Sequence, residues 1–77
     1  MRTIVPRREA QSDVEAARWF RKAADQGDAG AQYNLGIMFK QGSGVAQSDV
    51  QAARWYRKAA DQGHVQALHK LGNMLAV

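Results

Sequence analysis

Residues 11–27 read QSDVEAARWFRKAADQG, and residues 47–63 repeat this stretch as QSDVQAARWYRKAADQG, 36 positions further along the chain. The two stretches agree at 15 of 17 positions, and their differences, Glu15 to Gln51 and Phe20 to Tyr56, are conservative. Self-similarity at a fixed period of about 20 to 50 residues is typical of proteins that stack copies of one structural unit. The sequence therefore predicts a repeat fold.

The repeated stretch has the hydrophobic pattern of an amphipathic helix. Apolar residues recur at i, i+3, i+4 and i+7 in two adjacent stripes, formed by Ala16, Ala17, Trp19, Phe20, Ala23 and Ala24. Ser12 and Ser48 each precede a Glu or Gln by three residues, the spacing of a capping box, which predicts that both helices begin at these serines. Gly27 and Gly63 follow the last apolar residue and predict where the helices end.

A second helix is predicted in each unit, over residues 29–41 and again in the copy. Its apolar face is formed by Ala31, Leu35, Met38 and Phe39, and in the copy by Ala67, Leu71, Met74 and Leu75. Asp28 is a good N-cap for the first of these helices, and His64 is a poorer one for the second.

Gly36 and Gly72 lie inside the predicted second helices, where each costs about 1 kcal/mol relative to alanine. Because both recur at the repeat period, we expect the missing Cβ to let a neighbouring helix approach closely. A leucine at either position is then predicted to destabilise the fold strongly.

These patterns predict an all-α fold of about four helices, with a helix pair in each 36-residue repeat. Residues 1–11 are predicted to form an N-terminal arm and residues 12–77 the repeat domain. Residues 41–47 join the units as a turn, with Val45 tucked inward. The G-x-G within this turn lacks the preceding strand and third glycine of a dinucleotide-binding fingerprint.

The stretch from Ala31 to Gly63 resembles one complete unit of the Sel-1-like repeat family, a solenoid relative of the tetratricopeptide repeats. The matching residues, in order, are Ala31, Leu35-Gly36, Phe39, Gly42-Ser43-Gly44-Val45, Asp49, Ala53, Trp55-Tyr56, Lys58-Ala59-Ala60 and Gly63. The resemblance implies an α/α solenoid, a superhelix of antiparallel helix pairs that serves as an adaptor or assembly scaffold, with no reaction common to the family. Some Cys-rich members resemble β-lactam-binding proteins, but this chain has no cysteine.

The sequence offers no catalytic or metal-binding constellation, so we expect a protein that is not an enzyme and has no cofactor. His64 and His69 are separated by about 140° around a helix, too far for two ligands of one metal. Ser12 and Ser48 are assigned to helix caps, and Ser43 has no histidine near it in sequence.

The net charge of +4 makes nucleic acid a partner to consider. Trp19-Phe20 and Trp55-Tyr56, beside arginines, could stack on single-stranded nucleic acid. Their periodic placement favours a role in the core between helices, so nucleic-acid binding remains the less favoured alternative. Neither a signal peptide nor a membrane-spanning stretch is visible, so a cytoplasmic location is expected by default, with periplasmic and secreted locations left open.

The two copies differ mainly in the second helix. Residues 28–41 agree with residues 64–77 at only 4 of 14 positions, and the four that agree lie on or beside the packing face. We therefore predict that the variable side chains face a protein partner: Tyr33, Asn34, Ile37, Lys40, His69, Lys70 and Asn73. The competing explanation is that an end repeat drifts because no unit packs on it.

Solenoids generally need about three repeats, because one unit cannot bury its own apolar face. This sequence contains barely two and finishes with the apolar residues Met74-Leu75-Ala76-Val77. We therefore predict a homo-oligomer, formed by exchange of helices around the turn at residues 42–44. A truncated piece of a longer repeat array is the remaining alternative.

Overall fold

The computed structural model describes residues 5–75, with side chains described from residue 12, and this part of the chain contains four helices and no strand. They are α1 (Val5–Asp25), α2 (Ala29–Gln41), α3 (Asp49–Asp61) and α4 (Val65–Leu75). Each helix packs on the next, with α2 against both α1 and α3 and with α4 against α3. The predicted all-α solenoid is confirmed.

The start of α1 differs from the prediction. The helix begins at Val5, so Ser12 lies inside it and the predicted N-cap at Ser12 is wrong. Pro6 does not interrupt this helix, since the first turn does not need the backbone N–H that proline lacks. The helix therefore runs through much of the predicted arm at residues 1–11, while the boundary at residue 11 stays a prediction and residues 1–4 lie outside the described residues.

The other helix starts follow the prediction. Ser48 Oγ accepts a hydrogen bond from the Gln51 backbone N–H at 3.1 Å, and Asp28 Oδ1 accepts one from the Ala31 N–H at 2.9 Å. The Ser48 N–H donates to the Phe39 carbonyl at 2.9 Å. This donor is therefore already satisfied, and the second half of the capping box is not needed.

His64 also caps its helix, although histidine is an unusual N-cap. Its Nδ1 accepts a hydrogen bond from the Ala67 backbone N–H at 3.1 Å, which assigns the proton of the neutral ring to Nε2. The preceding residue, Gly63, has a φ of +88°. The chain thus ends α3 on a left-handed glycine, as predicted, and starts α4 on the next residue.

The hydrophobic core joins three helices. Its buried members are Ala24 of α1, Ala31 and Leu35 of α2, and Trp55 of α3, and Phe20, Ala23 and Phe39 pack around them half-buried. Trp55 is the largest side chain in the cluster and leaves only 7% of its surface exposed. The core therefore depends on residues from both repeat units.

A buried amide adds a polar link between the units. Gln32 is 5% exposed, and its Nε2 donates to the Ala24 carbonyl at 3.1 Å. Its Oε1 accepts from Gln62 Nε2 at 3.0 Å, and Gln62 also donates to the Gly27 carbonyl at 2.9 Å. Because the buried polar groups are paired, the link holds the ends of α1, α2 and α3 together without a desolvation penalty.

The prediction that the repeated aromatic pairs lie in the core is confirmed for Trp55 and Tyr56, which are 7% and 2% exposed. Phe20 is half-buried, but Trp19 is 70% exposed, so the prediction is wrong for Trp19. The reason is that the neighbours of Trp55 come from the helix pair before it, and no such pair covers Trp19 in the described residues.

The two helical glycines also have different surroundings. A Cβ built on Gly36 would lie 2.6 Å from the Tyr56 ring and 3.3 Å from the Ala52 carbonyl oxygen, which confirms a close approach of α3. A Cβ built on Gly72 meets no atom within 4 Å. The predicted close packing is therefore wrong for Gly72, because no described helix lies over that face of α4.

Candidate protein-interaction groove

The seven residues predicted to face a partner all lie on α2 or α4. Tyr33, Asn34 and Ile37 are half-buried, and the other four are exposed: Lys40, His69, Lys70 and Asn73. The two helices hold equivalent positions in consecutive units, and α3 packs against both of them. The question is which of these side chains the fold brings together.

Two adjoining depressions collect most of them. The larger has a volume of about 450 Å³ and is lined by Lys40, Asp49, Tyr56, Lys70, Asn73 and Met74. The smaller has a volume of about 210 Å³ and is lined by Tyr33, Gln66, His69, Lys70 and Asn73. Lys70 and Asn73 line both, so we treat the depressions as one surface, called the α2–α4 groove.

The groove brings together five of the seven predicted residues, namely Tyr33, Lys40, His69, Lys70 and Asn73. Asn34 and Ile37 are not among its lining residues. Whether any of the seven contacts a partner remains a prediction.

Aromatic rings form one wall of the groove. The Tyr33 ring lies 6.0 Å from the Tyr56 ring and 4.7 Å from the His64 ring, measured between centroids. Burial raises the pKa of the Tyr56 hydroxyl, and the nearby Tyr33 adds to this shift. Because Tyr56 is only 2% exposed, it packs behind the Tyr33 ring and leaves almost none of its own surface to a ligand.

The charges of the groove are unevenly paired. Lys40 Nζ lies 3.1 Å from Asp49 Oδ1, and Gln47 Nε2 donates to the same oxygen at 2.8 Å. The hydrogen bond and positive charge of Lys40 lower the pKa of the Asp49 carboxyl, with a further contribution from Gln47. Among the described side chains, Lys70 has no acidic partner within ion-pair distance. Its ammonium group is therefore available to an acidic group on a ligand.

Sequence reasoning missed several groove residues: Asp49, Tyr56, Gln66 and Met74. Asp49 is identical to Asp13, its counterpart in α1, so divergence gives no signal there, and Tyr56 differs from its counterpart Phe20 only by a hydroxyl, a conservative change. Only the packing of α3 between α2 and α4 brings them to the groove.

The described side chains give no reactive centre. No group of three His, Cys, Asp or Glu residues in this part of the chain is arranged to hold a metal ion. The Ser43 hydroxyl donates to Gln41 Oε1 at 3.4 Å and is not paired with a base. The groove can instead supply aromatic contact, hydrogen bonds and positive charge, which suits the recognition of a polypeptide surface.

Among the described residues, no helix combines the length and the apolar content that crossing a bilayer requires.

Comparison with models of protein families matches the chain to the Sel1 repeat over residues 8–28 and 29–64. Among solved structures, the chain is similar to a Sel1 repeat protein from Oxalobacter formigenes, with 46% sequence identity and a TM-score of 0.78. The match covers 79% of this chain and 25% of that protein, so the chain spans about a quarter of the length of its structural relative. The search of curated proteins found no match.

Proposed function

This chain belongs to the Sel1 repeat family, and we propose that it is a non-catalytic module that binds another protein through the α2–α4 groove. Sel1 repeats generally mediate protein–protein interactions. The observation that carries the proposal is the convergence of Tyr33, Lys40, His69, Lys70 and Asn73, all variable between the copies, on one groove over the nearly invariant α3.

The chemistry of the groove indicates the kind of partner. Lys70 has no acidic partner among the described side chains, and Asn73 beside it can both donate and accept hydrogen bonds. The half-buried Tyr33 ring, with Tyr56 behind it at 6.0 Å, offers rigid aromatic surface, the type of side chain that contributes most to protein interfaces. We therefore propose a protein segment that places an acidic side chain near Lys70 and an apolar one against Tyr33.

Self-association is part of the proposed function. Large apolar side chains remain exposed in the described residues, including Trp19, Leu68 and Leu75 at 70%, 60% and 72%. Exposed apolar surface of this kind favours contact with another chain. Helix exchange around residues 42–44 is one route to such contact. Packing of α1 of one copy on α4 of another is a second route.

Capture of partners from the native host with the intact gene product tests the groove. The tagged chain is compared with the double variant Lys70→Glu/Tyr33→Ala and with Val50→Ala, a control that changes a 70% exposed side chain outside the groove. We expect the parent and the control to capture the same protein, and the double variant to capture at least about tenfold less, as expected when hot-spot residues are removed.

Equal capture by all three proteins would contradict binding through the groove. Circular dichroism of each variant provides the folding control, since Lys70 is exposed and Tyr33 is half-buried. The Lys70→Glu change also reverses a charge, so a partner with an acidic contact loses more affinity at low salt than at high salt.

A further inference from the structure

The packing around Trp55 has an incomplete copy one repeat later. Trp55 packs among side chains from α1 and α2, namely Phe20, Ala23, Ala24, Ala31, Leu35 and Phe39. The positions 36 residues further on are also apolar, and they are Tyr56, Ala59, Ala60, Ala67, Leu71 and Leu75. Of this second set, Tyr56, Ala59 and Ala67 are already buried, whereas Ala60, Leu71 and Leu75 keep part of their surface open and have no tryptophan against them.

The surface over Gly72 is open in the same way. Gly36 receives the Tyr56 ring and the Ala52 backbone, whereas nothing lies within 4 Å of a Cβ on Gly72. Leu68 and Leu75, which flank Gly72 on the same side of α4, are 60% and 72% exposed. The outer face of α4 is thus an apolar surface equivalent to the face of α2 that α3 covers, with Leu68 in the position of Gln32.

The matching surface lies at the other end of the chain. α1 carries Ala16, Trp19 and Phe20 at the positions that Ala52, Trp55 and Tyr56 occupy in α3. Trp19 is 70% exposed. In α3 the equivalent residues fill the space over α2, whereas Trp19 of α1 is left uncovered in the described part of the chain.

The charged neighbours of the tryptophans are repeated too. The Lys22 ammonium lies 5.7 Å from the Trp19 ring, as the Lys58 ammonium lies 5.5 Å from the Trp55 ring. The Arg21 guanidinium covers Trp55 at 5.5 Å, and its equivalent one repeat later is the exposed Arg57. A tryptophan placed between α3 and α4 would therefore also gain a cation–π contact.

We propose that two copies of this chain associate head to tail, with α1 of one copy packing on α4 of the next as α3 packs on α2 within a copy. Trp19 then packs against Ala60, Leu71 and Leu75, and the Phe20 ring lies over Gly72. This proposal rests on the proposed self-association and specifies which helices and side chains meet. It leaves the α2–α4 groove free, because the groove residues lie on another side of α4.

The contact joins two different surfaces, so it does not close on itself in a pair. Each dimer keeps one free Trp19 and one free α4 face, and further copies can add at both ends. The assembly therefore grows with concentration and continues the solenoid from chain to chain.

Two variants block one end each and are expected to fold. Trp19→Ala removes an exposed side chain, and Gly72→Leu adds one where the structure has open space. In sedimentation velocity, the parent chain is expected to increase in mass with concentration, while each variant alone stays at the 8.5 kDa of a single chain. Mixed together, the two variants are expected to form a dimer of twice that mass, because each supplies the surface that the other lacks. Val50→Ala, another exposed apolar residue, is expected to associate like the parent.

Several outcomes would overturn the proposal. A parent chain that stays monomeric at millimolar concentration would show that α1 and α4 of different copies do not bind each other. A further repeat unit or another protein would then be the partner of these faces. An oligomer that survives both variants would indicate helix exchange, while self-association itself would still hold. Binding of a single-stranded oligonucleotide that quenches Trp19 fluorescence in a monomeric chain would instead assign this end to nucleic acid. The groove variant Lys70→Glu is expected to reach the same assembly mass as the parent in sedimentation velocity. A failure of the groove proposal can therefore be distinguished from a failure of the head-to-tail proposal.

Discussion

Replacement of Gly36 by leucine is expected to lower the melting temperature strongly, whereas the same replacement at Gly72 is expected not to lower it. Gly36 has the Tyr56 ring 2.6 Å and the Ala52 carbonyl 3.3 Å from the position of a Cβ, so a larger side chain must push α3 away from α2. Overpacking of this kind costs about 3 kcal/mol or more when backbone is in the way. A small domain has a net stability of only about 5 kcal/mol, so the loss is large.

Gly72→Leu provides the matched control, because both glycines follow a leucine at equivalent helical positions. With no atom near its Cβ, the leucine at position 72 adds helix propensity of up to about 1 kcal/mol relative to glycine. Thermal unfolding followed by circular dichroism measures the melting temperatures of both glycine variants, at a dilution where the chain is monomeric. Equal melting temperatures for the two variants would contradict the packing of α3 on Gly36.

Removal of the Trp55 side chain is expected to be the second most damaging change. Trp55 joins α3 to α1 and α2 and is 7% exposed, and Trp→Ala changes in a core cost about 3 to 5 kcal/mol. Trp19→Ala, the same change at the equivalent position of α1, removes a side chain that is 70% exposed. We expect it to alter the free energy of unfolding by about 0.5 kcal/mol or less.

Urea unfolding of dilute samples measures the stability of the Trp55→Ala and Trp19→Ala variants, with the shift in the transition midpoint as the readout. Because each variant keeps one tryptophan, fluorescence of the remaining ring also reports its surroundings. Emission from Trp55 alone is expected at a shorter wavelength than emission from Trp19 alone. Similar losses of stability for both variants would show that Trp19 is as well packed as Trp55.

The sequence predicts local structure well where a signal lies within the element itself. The range of α2 follows from the apolar spacing between Asp28 and Gly42, and Ser48 caps α3 through its own side chain. Ser12 fails as a cap although its sequence context is nearly the same. The difference lies in the preceding segment. Residues 42–48 are not helical, so the first N–H groups of α3 need a cap. The helix upstream of Ser12 already supplies carbonyl partners for the N–H groups that follow Ser12.

Predictions about packing are limited for a related reason. Trp19 and Trp55 are equivalent in sequence, as are Gly36 and Gly72, but their surroundings are supplied by the adjacent unit. A repeat pattern gives the surface that each helix presents and not whether another helix covers it. The groove shows the same division, since strong divergence between the copies identifies Lys70 and Asn73, whereas the conservative change from Phe20 to Tyr56 does not stand out.

A cross-link between two different chains tests most directly whether the ends of this protein bind each other. The chain has no cysteine, so Gln26→Cys in one sample and Leu68→Cys in another are the only thiols when the two are mixed and briefly treated with a short bis-maleimide. Gln26 and Leu68 correspond to Gln62 and Gln32, whose side chains meet at 3.0 Å where α3 packs on α2. Both positions are exposed, and neither change adds bulk over Gly72. Mass spectrometry of the linked peptides is expected to find the 26–68 pair well in excess of the 26–26 and 68–68 pairs. A 26–68 pair no more abundant than random pairing gives would contradict the head-to-tail contact.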